Sequence, residues 1–244
     1  FSLGLSYLGY KNTTRFLGTK TDANNDMTNL NNLGIVYPVP TERGSLTFAF
    51  GFSRVSNYTS VAEFTGFNPG SSIIDALTPS MNLAGLSAQE EADLLDNNIP
   101  FQLFLADTAN RQLFPLVTDN VQQTARIRET GGVNHWSFGG AIDVAKELSL
   151  GASLSVVSGS YGYTREYEES DVNNVYTKAP SATFGEFDHF SLVSTVNSDI
   201  TGFSALFGLM YRKQGKYKLG FTMRTPTYYT INETFSDEAR SRFD

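Results

Sequence analysis

Residues 133–167 decide the fold, and they read VNHWSFGGAIDVAKELSLGASLSVVSGSYGYTREY. Side chains in a β-strand point alternately to the two faces of the sheet. On that period, the first half of the stretch places on one face Trp136, Phe138, Gly140, Ile142 and Val144. The second half repeats the pattern with Leu148, Leu150, Ala152, Leu154 and Val156. The intervening positions are small or polar, and Lys146-Glu147 separates the halves, so the pattern predicts a hairpin with a tight turn.

Both arms of this hairpin are long. They run for roughly 10 to 17 residues, whereas strands of soluble sheets usually have about 5 to 6. A tilted strand needs about 9 to 11 residues to cross a bilayer, with apolar side chains toward lipid, small or polar ones toward the lumen, and aromatic ones near the headgroups. Aromatic residues do occupy the open end of the hairpin, at Trp136, Tyr161, Tyr163 and Tyr167. The hairpin therefore favours membrane-spanning strands over the edge of a soluble β-sandwich, whose strands also alternate.

The composition of the chain is compatible with a strand-rich membrane protein. Its 244 residues include 19 Phe, 12 Tyr and 21 Gly against 8 Pro. No run of 18 apolar residues occurs, which excludes a transmembrane helix. The net charge of −7 argues against nucleic acid as a partner, because phosphates need a basic surface. Without cysteine there is no disulfide, cysteine zinc site or thiol nucleophile, and we expect neither a metal nor a cofactor.

Other segments repeat the alternation and bring the predicted strands to seven. They include the opening residues FSLGLSYLGY, Thr28–Tyr37 and Leu46–Tyr58, with Phe48, Phe50 and Phe52 on one face. Later strands are predicted over Phe187–Arg212, with a bulge near Asp199–Gly202, and from Tyr217 through TPTYYTINETF. Because the sequence opens inside a strand, we expect it to be part of a longer protein.

Three long connections separate these strands. Lys11–Met27 is rich in Asn, Thr and Asp and predicts an exposed loop. In Thr59–Gly132 the alternation fails and a helical period replaces it over Ser72–Leu83, while Ser87-x-x-Glu90 predicts a capping box that opens a further helix. Glu168–Gly185 predicts a third, polar loop.

The connections are sorted by length. The short ones, TERGS, AKEL and KQGK, alternate strictly with the long ones. Outer-membrane barrels have short periplasmic turns and long extracellular loops, whereas a soluble sandwich has no reason to sort its loops by end. We therefore predict an all-β, transmembrane antiparallel β-barrel over residues 1–244, with a partly helical extracellular insertion at 59–132.

An acidic cluster follows the central hairpin, at Glu166, Glu168, Glu169 and Asp171. Carboxylate-rich loops can bind Ca²⁺, but this spacing matches no EF-hand pattern. A solvated acidic loop is therefore the favoured interpretation, and a cation site is the alternative.

Four motifs in order resemble the outer-membrane transporters for long-chain fatty acids and aromatic hydrocarbons, in particular the branch found in Bacteroidetes-type bacteria. They are PVPTERGSLTFAFGFSRVSNY, FTGFNPGSSIIDAL, ETGGVNHWSFGGAIDVAKELSLGASLSVVSGSYGYTREYEE and DITGFSALFGLMYRKQGKYKLGFTMRTPTYYTINETF. The resemblance implies a fourteen-stranded barrel plugged by an N-terminal hatch, so seven strands would be about half the barrel and the hatch would be absent from this sequence. It also implies passive passage of apolar substrates from an extracellular groove to the lumen and then sideways through a gap at a kinked strand.

The leading hypothesis is therefore a bacterial outer-membrane facilitator that takes up hydrophobic small molecules and is not an enzyme. We expect it to be a monomer that contacts outer-membrane lipid and lipopolysaccharide. We expect the insertion to capture substrate through Ile73, Ile74, Leu77, Phe101 and Phe104, with Arg111 as a candidate for a carboxylate headgroup.

Two other functions compete with this hypothesis. A barrel-type lipid hydrolase would need a Ser-His pair, and His135 and His189 are the available histidines. Neither lies near a G-x-S-x-G elbow, so we predict no catalytic residues. A soluble β-rich binding or adhesion domain is the third possibility.

Overall fold

The computed structural model describes residues 1–78, 81–177, 186–213 and 215–244. Strands make up 71% of the described residues and helices 8%. The elements are β1 Ser2–Phe16, β2 Thr19–Val39, β3 Leu46–Asn57, β4 Ser60–Asn68, α1 Ile73–Leu77, β5 Met81–Asn82, α2 Ala88–Asp96, α3 Ile99–Gln102, β6 Ala106–Ala109, β7 Gln112–Pro115, β8 Val121–Ala145, β9 Leu148–Ser170, β10 Phe187–Lys213, β11 Tyr217–Arg224 and β12 Tyr228–Phe243.

One antiparallel sheet contains all the long strands. Its order is β1-β2-β3-β8-β9-β10-β11, while β4 continues the ladder of β3 along β8 and β12 continues that of β11 along β10. The described residues thus form seven long strands that pair with their neighbours in chain order. The sheet curls as a half-barrel, which confirms the predicted all-β, antiparallel class.

The two faces of the sheet differ sharply in the half nearest the short turns. One face carries what we name the apolar belt: Leu33, Ile35, Tyr37, Phe48, Phe50, Phe52, Trp136, Phe138, Ile142, Leu148, Leu150, Leu154, Val156, Phe203, Phe207, Leu209, Tyr211, Leu219, Phe221 and Met223. Many of these side chains are about half exposed, as Leu154 is at 49% and Phe138 at 53%. The opposite face carries small and polar residues, and there Ser204 is only 5% exposed. The polar face is therefore the concave side of the curl.

The loop predicted at Lys11–Met27 is instead a continuation of β1 and β2, which pair in register up to a turn at Leu17-Gly18. Both faces of this part of the hairpin are polar, so the alternation that marks a half-buried strand is lost. Cross-strand pairs hold it, such as Lys11 Nζ to Asp22 Oδ2 at 2.6 Å and Thr13 Oγ1 to Asp22 Oδ1 at 2.6 Å. The ammonium of Lys11, followed by the hydroxyl of Thr13, lowers the pKa of Asp22.

The other two long connections are also shorter than predicted. β4 and the first twelve residues of β8 lie within the 59–132 range, so the insertion itself covers residues 69–120. The helix predicted over Ser72–Leu83 is shorter in the structure, where α1 has five residues. β5 follows it and belongs to a small sheet of order β5-β7-β6. The helix predicted after Ser87 is α2, and its capping box is present. At the third connection, β9 continues to Ser170.

The irregularity predicted near Asp199–Gly202 lies on the neighbouring strand instead. β10 keeps a constant register with β9. The strand on its other side is interrupted, because β11 ends at Arg224 and β12 begins at Tyr228. Pro226 lies in that break and has no N–H to donate. Thr225 repairs the ladder there, since its N–H donates to Ala205 O at 2.9 Å and its hydroxyl accepts from Ala205 N at 2.9 Å.

The connections at the two ends of the sheet differ, but less strictly than predicted. Residues 40–45, Lys146-Glu147 and the link from Lys213 to Tyr217 join the strands at one end, which we call the short-turn end. At the other end lie the insertion and the described ends of the 171–186 connection. β1 and β2 are joined at this end by a two-residue turn at Leu17-Gly18, so the predicted alternation of short and long connections is wrong there. The strands continue well past the apolar belt toward this long-loop end, where the insertion packs against the concave face.

Candidate functional site

The insertion docks on the concave face through an apolar core, which we name the docking cluster. Its buried members are Ile74, Leu105, Val117 and Val121, together with Phe187, Phe190 and Leu192 at the start of β10. Ala239 and Phe243 of β12 pack against the same core. The insertion therefore spans the concave side of the half-barrel at its long-loop end, from β8 to β12.

A fully buried carboxylate fixes the insertion to the wall. Glu169 of β9 is 0% exposed and accepts hydrogen bonds from the Ser72 hydroxyl, from Ile73 N at 2.7 Å and from Gln123 Nε2 at 2.8 Å. The Tyr167 hydroxyl donates to the same carboxylate at 2.7 Å. Burial, and then this hydrogen bond, raises the pKa of Tyr167 well above its usual value, which keeps the phenol protonated as a donor.

Two further contacts hold the insertion in place. The Tyr176 hydroxyl, in the 171–186 connection, donates to Asp119 O at 2.7 Å and accepts from Thr118 N at 3.1 Å. Ser241 of β12 donates to Leu103 O at 2.9 Å. Together with the Glu169 network, these bonds tie the insertion to β9, to β12 and to the connection that follows β9, and make it a fixed cap over the concave side.

The predicted acidic cluster is divided by the alternation of β9. Glu166 and Glu168 are exposed and point away from the concave face, whereas Glu169 is the buried anchor. Asp171 follows the strand and accepts from Val175 N at 2.9 Å and Tyr176 N at 2.7 Å, so it organises the next connection. The sequence predicts a loop for all four side chains, but three of them lie on β9. The prediction is wrong there because polar residues occur on both faces of this part of the strand.

The predicted capture residues fall into two separate groups. Ile73, Ile74 and Leu77 belong to the docking cluster or pack against it, and Ile74 is fully buried. Phe101 packs against a second core, the distal cluster, which is formed by Leu83, Ala106 and Leu113. The structure therefore brings Ile73, Ile74 and Leu77 together and places Phe101 elsewhere in the insertion.

Phe104 and Arg111 differ from the other predicted residues. Phe104 is 48% exposed on the insertion and has a positive φ of 60°. Arg111 Nη2 donates to Leu83 O at 2.8 Å and to the Glu91 carboxylate at 3.0 Å, so it supports the backbone around the distal cluster. A substrate carboxylate would compete with Glu91 for this guanidinium. Phe104 is thus the predicted residue that most readily contacts a ligand.

A lateral window opens in the sheet between β2 and β3. The two strands pair only from Asn32↔Ser53 to Val39↔Leu46, and beyond Asn32 the ladder of β2 is with β1 alone. β3 has a register irregularity between Arg54 and Ser56 at the same level. A hollow of about 320 Å³ occupies the window, with lining residues Ser6, Tyr7, Asn29, Asn31, Arg54, Ser56 and Asn57 among others.

Side chains close the window again toward the long-loop end. Tyr10 Oη donates to Thr59 O at 3.0 Å, and Asn12 Nδ2 donates to Val61 O at 3.0 Å. The rings of Phe16 and Phe64 lie 4.5 Å apart. The window is therefore a bounded opening, and it begins immediately past Phe52, the last member of the apolar belt on β3.

Arg54 lies at this window and is not among the site residues that the sequence predicts. Its guanidinium donates to Asn29 Oδ1 and also borders a second, polar hollow of about 400 Å³ with Asn134, Ser158 and Ser160. In the described part of the chain, Arg54 Nε and Asn134 Oδ1 are buried without a hydrogen-bond partner. The signal was present in the sequence, because Arg54 continues the apolar row of Phe48, Phe50 and Phe52 with a charge.

The two histidines lie apart from each other. His135 lies on the polar face of β8 opposite Val157, and His189 Nδ1 is 3.0 Å from Asp188 Oδ2. Among the hydrogen bonds of the described residues, neither imidazole is joined to a serine.

Within the described ranges, none of the helices is long and apolar enough to cross a bilayer.

No protein-family model, no curated protein and no solved structure matches this chain.

Proposed function

We propose that the chain is part of an outer-membrane β-barrel that lets hydrophobic small molecules, such as long-chain fatty acids or hydrocarbons, pass without an energy source. The apolar belt is the observation that carries this proposal. On β9 and β10 it covers Leu148–Val156 and Phe203–Tyr211, which are nine residues each. Nine residues at about 3.3 Å with a tilt of about 40° give a band roughly 20 to 25 Å tall, the height of the apolar band of outer-membrane barrels.

An aqueous environment would not tolerate such a belt. Soluble monomers rarely expose contiguous apolar patches above a few hundred Å². Here half-exposed aromatic and aliphatic side chains continue from β2 to β11, while the concave face opposite them carries Ser137, Ser153, Ser155 and Ser204. Lipid on the convex side and water on the concave side account for both faces at once.

Strand directions support closure by further strands. β1 and the β11–β12 strand form the two edges of the sheet and run in the same direction, because seven antiparallel strands lie between and including them. Antiparallel closure therefore requires an odd number of additional strands, and seven more would give the fourteen that the family resemblance implies. Two copies of this sheet would meet along parallel seams, so we favour a monomeric barrel.

The lateral window is the proposed exit for substrate. It lies at the end of the apolar belt on β3, at a register irregularity, as expected for a gap at a kinked strand. Arg54 is positioned there to bind the carboxylate of an amphipathic substrate while the acyl chain enters lipid. The exposed ring of Phe104 on the insertion is the proposed point of first contact on the opposite, long-loop side.

Phe104→Ala is expected to slow uptake of a long-chain fatty acid severalfold at low concentration and to matter less when substrate is abundant. The exposed ring adds apolar contact area at about 25 cal/mol per Å² buried, which is useful only while the capture site is unsaturated. The rate at which cells take up a radiolabelled fatty acid measures this effect. Phe67→Ala is the matched control, since Phe67 is a similarly exposed ring on β4. Equal uptake by the Phe104 variant and the unaltered protein would move capture to the concave wall. Phe101→Ala is a less specific test because Phe101 supports the distal cluster.

Cysteines placed at Asn97 and Asn173 are expected to react with an impermeant thiol reagent on intact cells, whereas a cysteine at Arg43 should not. Asn97 lies at the end of α2 and Asn173 in the 171–186 connection, while Arg43 lies in the first short turn. The sequence alone also suggests Asn24 as a labelled position and Gln214 as a protected one. Gln214 is outside the described residues, and Asn24 lies within β2 and not in a loop. Labelling of Arg43→Cys from outside, with Asn97→Cys protected, would invert the proposed orientation.

The two competing functions have less support. A hydrolase would require a serine positioned against His135 or His189, and the nearest polar partner of His189 is the Asp188 carboxylate. A soluble binding domain would have to cover the apolar belt with another layer, for which the described residues supply no element. Detergent partition together with heat-modifiable migration distinguishes a barrel from a soluble domain.

A further inference from the structure

A strongly basic hollow lies at the short-turn end of the sheet. The β8–β9 turn and the β10–β11 turn enclose a space of about 900 Å³. Its described lining includes five cationic side chains, Lys146, Arg212, Lys213, Lys216 and Lys218, against one carboxylate, Glu147. The chain as a whole has 25 acidic and 18 basic residues, so this concentration of positive charge runs against the overall balance.

The internal contacts of the hollow leave most of this charge uncompensated. Arg212 Nη2 is paired with Asp143 Oδ1 at 3.0 Å, and the Glu147 carboxylate accepts from Tyr211 Oη at 2.7 Å. Among the described residues, no ion pair involves Lys146, Lys213, Lys216 or Lys218. Four neighbouring ammonium groups repel one another, and a bound anion would relieve that repulsion.

The position of the hollow indicates which anion it takes. Tyr211 is the last member of the apolar belt on β10, and its ring lies 6.1 Å from that of Tyr217, which borders the hollow. Lys213 follows Tyr211 on the same face of the strand. Tyrosines and lysines in this order, directly beyond an apolar band, match the level of lipid headgroups, where anionic lipids attract basic residues.

We propose that this hollow binds the phosphodiester group of an anionic phospholipid, such as phosphatidylglycerol, in the leaflet that faces the short turns. The proposal rests on the membrane orientation given under the proposed function. Lys213 and Lys218 lie within two residues of the belt members Tyr211 and Leu219, and Lys146 and Lys216 lie in the short turns directly beyond the strands. An acidic soluble partner would not explain why all four lysines lie so close to the end of the belt.

Fluorescence quenching by brominated lipids tests the proposal. The chain has one tryptophan, Trp136, which lies at the other rim of the belt. Leu219→Trp in a Trp136→Phe background reports on lipid beside the hollow, since Leu219 is an exposed belt residue of β11. In mixed vesicles at low salt, quenching at position 219 should show at least about a threefold preference for brominated phosphatidylglycerol over brominated phosphatidylcholine, and Trp136 of the unaltered protein should show almost none.

Charge-neutralised variants provide the controls. Lys146→Gln, Lys213→Gln, Lys216→Gln and Lys218→Gln together should remove the preference at position 219. The matched set Lys11→Gln, Arg15→Gln, Lys20→Gln and Arg128→Gln, toward the long-loop end, should leave it intact. Millimolar inorganic phosphate should not compete with the lipid, and competition would overturn the proposal in favour of a small-anion site.

The failures of the two proposals are distinguishable. If Trp136 is not quenched by either lipid, the membrane assignment itself is wrong. If both reporters are quenched equally by the two lipids, the membrane assignment stands and the phospholipid site is refuted.

Discussion

Replacing Leu154 with arginine is expected to destabilise the assembled protein by about 2 to 4 kcal/mol, because in the proposed barrel an arginine at this position would face the middle of the bilayer. Leu154 lies near the centre of the apolar belt, between Phe138 and Ala205 in the ladder, and is 49% exposed. If that exposure were to water, the same substitution would change stability by no more than about 0.5 kcal/mol. The two environments thus predict clearly different costs. Phe50→Arg should behave in the same way.

Ser153 provides the matched control one residue away. It points to the concave face, where its partners in the ladder are Gly139 and Leu206. Ser153→Arg should therefore fold with little loss of stability and mainly obstruct passage. Denaturant titration of the protein in lipid vesicles, followed by heat-modifiable migration, measures both variants. Equal defects at Leu154 and Ser153 would mean that the alternation does not separate lipid from lumen.

Glu169→Ala is expected to release the insertion from the wall while leaving the seven-stranded sheet intact. The substitution leaves the Ser72 hydroxyl, Ile73 N–H, Gln123 amide and Tyr167 hydroxyl without their acceptor in a buried site. Buried unsatisfied groups cost about 1 to 3 kcal/mol each, so docking should weaken by at least about 3 kcal/mol. That corresponds to roughly a hundredfold faster amide exchange in residues 69–120.

Glu168→Ala is the control for this prediction. Glu168 is the preceding residue of β9, carries the same carboxylate and is exposed on the other face. Its loss should not change exchange in the insertion. Hydrogen exchange read by mass spectrometry distinguishes the two variants. Unchanged exchange in Glu169→Ala would show that the docking cluster alone holds the insertion.

The strands of the apolar belt were predictable because their two faces meet different surroundings. Phe48, Phe50 and Phe52 alternate with small or polar residues, and that contrast is what a period-2 pattern detects. Past the belt, both faces of β1 and β2 become polar, the contrast disappears, and a strand resembles a loop in composition. The sequence therefore predicts a loop at Lys11–Met27, where the outer halves of β1 and β2 lie. It also predicts no strand at β4 or at the end of β9.

The candidate site was less predictable, because it depends on contacts between distant segments. The sequence grouped Glu169 with its acidic neighbours, although the alternation already placed it on the face of Tyr167 and not of Glu166 and Glu168. Its partners Ser72 and Gln123 are 97 and 46 residues away. The lateral window results from the absence of pairing between β2 and β3 past Asn32, which no local pattern encodes.

Spin labels placed one at a time from Leu148 to Ser160 on β9 test the central claim most directly, namely that the belt faces lipid. Collisions with oxygen, which concentrates in lipid, should peak at positions 148, 150, 152, 154 and 156. Collisions with a water-soluble nickel complex should peak at the alternate positions 149, 151, 153 and 155, out of phase with oxygen, and the two profiles should merge beyond Val156. If both reagents peak together at the even positions, water covers the belt and the chain is not a membrane-spanning sheet.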